Sequence, residues 1–126
     1  MFYRYTILYV ANVAQSLAFY GAAFGFRTGY LHEAGDYGEL VTGETKLAFS
    51  SHALMASLGK DVATTPPDRP SYELAFETDD VAAALTRACD AGATQVTPVT
   101  QMPWGQTLAY VRAPEGTLIE LCTKVG

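Results

Sequence analysis

The chain has 126 residues, 49% of them hydrophobic and 17% charged, the composition of one ordinary globular domain and not of a disordered chain. Its net charge of -5 and sequence pI of about 4.8 argue against binding to nucleic-acid backbones or anionic membranes, which need Lys and Arg clusters, and favour a neutral or cationic small molecule. No apolar run reaches the roughly 18 residues of a membrane span, and MFYRYTILYV lacks the features of a signal peptide, so a cytoplasmic protein is expected.

Residues 3–10 are rich in β-branched and aromatic side chains and read as a strand. Asn12 caps a helix on which Val13, Leu17, Tyr20 and Phe24 recur at helical spacing, and Gly25 stops it. Strands are expected at 26–34, 36–42 and 45–51, with turns at Gly35-Asp36 and Gly43-Glu44. Residues 52–70 lose the pattern, end in TTPPDRP, and read as a loop or linker. The order then restarts. Residues 71–78 form a strand, and Asp79 or Asp80 caps a helix carrying Val81, Leu85, Ala88 and Cys89 that ends at Gly92. Strands follow at about 94–99, 106–112 and 117–123, with the last turn at Pro114-Glu115-Gly116. Cys89 and Cys122 form no CxxC pair and read as free thiols, Cys89 in the core.

The two halves repeat one another. A shift of 68 residues places Asn12-Val13 on Asp80-Val81, Leu17 on Leu85 and Tyr5 on Glu73; a shift of 72 brings Thr45-Lys46-Leu47 onto Thr117-Leu118-Ile119. The four extra residues belong near Met102-Pro103-Trp104-Gly105. The expected architecture is α+β, a single domain over 1–126 built of two βαβββ repeats, with repeat one at 1–52, a linker at 53–70 and repeat two at 71–126.

Alternation sorts the outer strands of each repeat into two faces. One is uniformly apolar: Leu8, Val10, Leu47, Phe49, Leu74, Phe76, Ile119 and Leu121. It is expected to pack on the helices. The other is mixed: Tyr5, Ile7 and Tyr9; Lys46, Ala48 and Ser50; Glu73, Ala75 and Glu77; Leu118, Glu120 and Cys122. Glu120, between Ile119 and Leu121, is the informative residue, because a carboxylate in so apolar a strand needs a partner, a ligand or water.

The segments YVANVAQSLAFYGAAFGF, YELAFETDDVAAALTRACDAGA and WGQTLAYVRAPEGTLIELCT resemble the helix starts and closing hairpin of the glyoxalase/bleomycin-resistance/dioxygenase (vicinal oxygen chelate) superfamily. The resemblance implies two repeats forming a curved mixed sheet around a ligand cup, and a homodimer. In metal-dependent members, ligands come from the first and last strands of each repeat, which here correspond to Tyr5, Ala48, Glu73 and Glu120. Only Glu120 keeps the typical ligand type. Glu73 stands where His is common, Tyr5 is a poor ligand for a divalent ion at neutral pH because a phenol there keeps its proton, and Ala48 has no donor. A catalytic transition-metal site takes three or more ligands with His well represented, whereas two carboxylates offer a weak Mg- or Mn-like site at best. No cofactor is expected, and the missing ligands speak against glyoxalase I activity.

Glu73 and Glu120 are candidate catalytic residues, with partnered structural carboxylates as the alternative; proximity would raise the pKa of at least one. Tyr5, Ile7, Tyr9, Ala48, Ser50, Tyr110 and Cys122 are candidate ligand-lining residues, and Trp104 is a candidate lid or a dimer contact. Cys122 reads as a small filler, with no paired His to make it a nucleophile, and His32 and His52 as surface or loop residues. Two functions follow. The first is a protein that holds an apolar, aromatic or cationic small molecule in a cup without a full metal site. The second is a metal-assisted lyase, isomerase or dioxygenase working through Glu73 and Glu120. Uncovered strand edges agree with a homodimer.

Overall fold

The computed structural model describes residues 1–125. It contains β1 (Tyr5–Val10), α1 (Val13–Phe24), β2 (Thr28–Leu31), β3 (Tyr37–Leu40), β4 (Lys46–Ser51), α2 (His52–Ser57), β5 (Glu73–Glu77), α3 (Val81–Asp90), β6 (Thr94–Gln101), β7 (Thr107–Arg112) and β8 (Leu118–Cys122). These fall into two compact units, Met1–Thr65 and Pro66 onward. Each is a β-α-β-β-β arrangement around a four-stranded sheet, ordered β1-β4-β3-β2 in the first and β5-β8-β7-β6 in the second. In both, the first strand pairs parallel with the last and the other pairs are antiparallel.

The helix ends are built as their sequence signals require. The Asn12 side chain accepts from the Gln15 N–H, and the Asp80 side chain accepts from the Ala83 N–H, so one orphan donor is satisfied at each start. α1 ends at Gly25 in the left-handed conformation, φ 80°, which a side chain would disfavour.

Strand registers carry the internal repeat. Tyr5 lies opposite Lys46 and Glu73 opposite Leu118, so the pair in the second unit sits 68 and 72 residues beyond its counterpart. The arm from Thr97 to its partner Tyr110 is four residues longer than the arm from Tyr30 to Glu39, which places the main insertion in the β6–β7 hairpin that carries Trp104 at its tip.

The first unit's core lies between its sheet and α1, which packs on β2, β3 and β4. Leu8, Val10, Val13, Leu17, Leu40, Leu47 and Phe49 are all buried. Tyr20 is fully buried and its ring meets Phe49 at 5.0 Å between centroids. Gly38 permits this closeness: a Cβ there would lie 2.8 Å from Leu17 Cδ1 and 3.1 Å from Val13 Cγ1. In the second unit α3 packs on β6, β7 and β8, over the face that carries Ala109, Val111, Ile119 and Leu121.

Residues 52–70, expected to be irregular throughout, begin with a helix. Ser51 caps α2 by accepting from the Leu54 N–H, so His52 opens a helix and not a loop. The signal is faint because six residues give too short a stretch for periodicity to stand out. α2 packs on β1 and β4 with Met55 buried. Among the described residues the second unit has no equivalent helix. Its edge strand β5 accordingly holds Leu74 and Phe76 only half-buried, where full burial on a helix was expected. Cys89 is likewise half-buried instead of core, and both cysteines are free. The expected strands 26–34 and 36–42 are shortened at both ends to β2 and β3.

Candidate functional site

The faces turned away from the helices are mixed, as alternation requires. In the second unit the register aligns Glu73 with Leu118 and Arg112, Ala75 with Glu120 and Tyr110, and Glu77 with Cys122 and Leu108. Glu120 sits on the central strand β8 between Ala75, whose small side chain leaves room, and Tyr110. The Tyr110 hydroxyl donates to Glu120 Oε2 at 2.6 Å, the short distance of a charge-assisted bond. Glu73 is hydrogen-bonded to Glu120 and also reaches the Tyr110 phenol. The Cys122 thiol interacts with Glu120 as well, and its Sγ lies 3.8 Å from the Phe76 carbonyl oxygen.

This arrangement separates the two carboxyls electrostatically. Partial burial raises the pKa of Glu73, and the hydrogen bond with Glu120 and the charge on Glu120 raise it further. Burial also opposes ionisation of Glu120, but hydrogen bonds from Tyr110, Cys122 and Glu73 outweigh it and leave its pKa below the ordinary value. The shared proton therefore belongs on Glu73 and the charge on Glu120. Tyr110 is pushed up by its bond to Glu120 and by burial, so it remains a donor. Burial and then Glu120 push the Cys122 thiol up to about 11; it is a neutral filler at physiological pH.

The first unit carries a related face. Its register aligns Tyr9 with Ser50 and Tyr37, and Ile7 with Ala48, Glu39 and Tyr30. Tyr5, Ile7 and Tyr9 are exposed, whereas Ala48 and Ser50 are buried between larger neighbours and form its floor. The Tyr37 hydroxyl donates to Glu39 Oε2 at 2.8 Å. Burial, followed by that bond, raises the Tyr37 pKa. Sequence reasoning missed Tyr30, Tyr37 and Glu39. The signal was there in YGEL, where Tyr37 and Glu39 alternate with helix-facing Gly38 and Leu40.

The candidate residues divide accordingly. Glu73, Glu120, Tyr110 and Cys122 come together in the second unit; Tyr5, Ile7, Tyr9, Ala48 and Ser50 share one face of the first. Trp104 stands apart at the hairpin tip, 61% exposed. Its indole N–H donates to Gln106 Oε1 at 2.8 Å, and Gln106 Nε2 donates to the Thr123 carbonyl at 2.8 Å, so the ring is tied to its own hairpin. His32 is exposed and lies 3.3 Å from Asp36 in the β2–β3 turn.

The donor set does not fit a transition-metal centre. In the first unit Ala48 offers no donor; in the second the Glu73–Glu120 pair contributes oxygen only, with Glu120 engaged by the Tyr110 hydroxyl. Among the described residues no three His, Cys, Asp or Glu side chains are grouped to hold an ion. No helix among them is long and apolar enough to cross a membrane.

Solved structures share this fold. A glyoxalase-related enzyme from Fulvimarina pelagi is 23% identical, with a TM-score of 0.82 over 96% of this chain and 86% of that one. A glyoxalase/bleomycin resistance protein/dioxygenase family enzyme from Burkholderia phytofirmans PsJN is 19% identical, with a TM-score of 0.79 over 98% of both chains. A glyoxalase/bleomycin resistance protein/dioxygenase from Nocardioides is 17% identical, with a TM-score of 0.79 over 99% of this chain and 84% of that one. At these identities the likeness concerns the fold. No curated protein matches the sequence. The model of the glyoxalase-like domain matches residues 3–126, and with nearly the whole chain covered, the protein belongs to the glyoxalase-like family.

Proposed function

We propose that this protein binds a neutral or cationic small molecule against its carboxylate-bearing mixed face, without a full metal centre. The observation that carries the reading is Glu120, a carboxylate in the middle of a buried strand, held by the Tyr110 hydroxyl at 2.6 Å and set beside Glu73, whose pKa burial and Glu120 raise. With Glu77 on the same face, the surroundings disfavour an entering anion. Exposed tyrosines and the absence of a three-ligand metal set among the described residues agree with binding as the primary task.

A second reading rests on the split proton affinities of the carboxyl pair. Glu73, its pKa raised, beside Glu120, its pKa lowered, matches the acid and base of a lyase or isomerase that moves a proton on a bound substrate. A homodimer accompanies either reading, because β2 and β6 end their sheets with Leu31, Val96 and Val99 exposed. Light scattering giving one chain mass at micromolar concentration overturns the dimer.

The test of binding is a thermal-shift panel of cationic, neutral and anionic small molecules on wild type and Glu120→Gln. Stabilisation of the wild type by cationic and neutral compounds, reduced for the cations in the variant, supports the reading. Selective stabilisation by anions, unchanged in the variant, sinks it.

A further inference from the structure

The first unit's mixed face is built differently from the second's, and the difference points to a ligand class. In place of two interacting carboxyls it has one, Glu39, half-buried and hydrogen-bonded to Tyr37. Around that carboxylate stand four phenols. Tyr30 lies opposite Glu39 in register and its ring centroid is 6.3 Å from that of Tyr37. Tyr9 aligns with Tyr37 across Ser50. Tyr5 stands on β1 two residues from Ile7, which aligns with Glu39 across Ala48. Tyr5, Tyr9 and Tyr30 are 46%, 41% and 47% exposed, and β4 presents the small residues Ala48 and Ser50 beside Tyr9 and Tyr37, with Lys46 at the Tyr5 end.

We infer that this face is a binding site for a small quaternary or tertiary organic ammonium ion, held over the Tyr5, Tyr9, Tyr30 and Tyr37 rings with Glu39 as its counter-ion. The ring faces attract a cation that comes within about 6 Å of their centroids, and each desolvated contact strengthens the attraction. The strands set the spacing for Tyr9 and Tyr37: β1 and β3 lie two strand separations apart, roughly 9.6 Å, so a cation between them is about 5 Å from either, and Tyr30 flanks Tyr37 from β2, one strand beyond. Glu39 accepts one hydrogen bond from Tyr37 and keeps acceptor capacity on both oxygens. Among the described residues no lysine, arginine or histidine forms an ion pair with it. Lys46, the cation on this face, aligns with Tyr5, two residues along β4 from Ala48, the partner of Glu39. An alkylated ammonium suits the site better than an ammonium with N–H donors, because aromatic surface outweighs acceptors there.

The inference rests on the preceding reading of a cation-accepting protein and adds to it a separate site, at Glu39 of the first unit, for one class of cation. Its test is a titration of the full chain with choline, followed by protein NMR, against the neutral isostere 3,3-dimethylbutan-1-ol. Choline is expected to shift tyrosine ring signals and to bind at least ten-fold more tightly than the alcohol. Glu39→Gln and Tyr30→Leu should each weaken choline ten-fold or more. Glu33→Gln, the same loss of charge in the exposed β2–β3 turn, should leave its affinity unchanged. Equal affinity for choline and the alcohol, or choline binding that survives Glu39→Gln, overturns the inference. Signals that shift on dilution without choline, together with no response to choline, assign the face to contact between copies and also overturn it. If choline is silent while the thermal-shift panel finds neutral ligands, this site fails and the broader binding function stands.

Discussion

Tyr110 and Glu120 face each other across the β7–β8 pair and share a 2.6 Å hydrogen bond in which the phenol donates to the carboxylate. The bond joins two half-buried groups on the face that no helix covers. Tyr110→Phe keeps the ring and removes the donor. It is expected to raise the Glu120 pKa and to cost about 1 kcal/mol at neutral pH, the scale of a partly solvated bond to a charged group. Urea melts and a carboxyl-detected NMR titration of both proteins check the two outcomes.

The carboxyl pair gives opposite pH signs. The Glu120 pKa lies below its unfolded value, so its contribution to stability is present above the ordinary carboxyl value of 4.5 and is lost as pH falls through the lower folded pKa. The Glu73 pKa is raised, so its contribution is present below 4.5 and is lost as pH rises through the higher folded pKa. Glu73→Gln is therefore expected to raise the unfolding midpoint at pH 7, and the gain should vanish below pH 4.5. Thermal melts across that range decide it; a Glu73→Gln protein less stable than wild type at pH 7 contradicts the assignment.

Both carboxylates were legible in the sequence, and Tyr110 was visible as a lining residue, because alternation along a strand is a strong signal and Glu120 breaks an apolar run. The Tyr110–Glu120 bond was not legible, since it depends on the β7–β8 register, which no local pattern fixes. Glu39 and Tyr37 escaped because β3 is four residues long, too short for its two faces to be weighed like those of the outer strands. The helix α2 escaped for the same reason of length. Its consequence, Leu74 and Phe76 half-buried in the second unit, lies at the level of packing, where the repeat is broken although the strand patterns agree.

The two thiols should react unequally. Cys122 is buried and its thiol is pushed up to about 11 by burial and Glu120, while Cys89 is half-buried on α3. Iodoacetamide at pH 8 is expected to modify Cys89 first and leave Cys122 largely intact in the folded protein. Peptide mass spectrometry at timed intervals reads this directly, and faster labelling of Cys122 would disprove its placement beside Glu120.

Gly116 should be the least replaceable of the turn glycines. Its φ is +99°, and an added Cβ would meet Pro66 Cβ at 2.2 Å. Gly43, with φ +106°, has open space around it. Gly43→Ala is expected to cost about 1–2 kcal/mol from backbone strain alone. Gly116→Ala should cost on the order of 2–4 kcal/mol, because the overlap adds to the same strain. Denaturant midpoints of the two variants give the comparison.

The central claim is that an ionised Glu120 on the mixed face selects the ligand, and its most direct test is calorimetric titration of the strongest cationic hit from pH 7 down to about pH 3, on wild type and Glu120→Gln. The account predicts an affinity in the wild type that falls at the acid end as Glu120 takes up its proton, and a weaker affinity in the variant that lacks this final fall. Equal affinities in the two proteins at pH 7, or tighter binding as the pH falls, would contradict it.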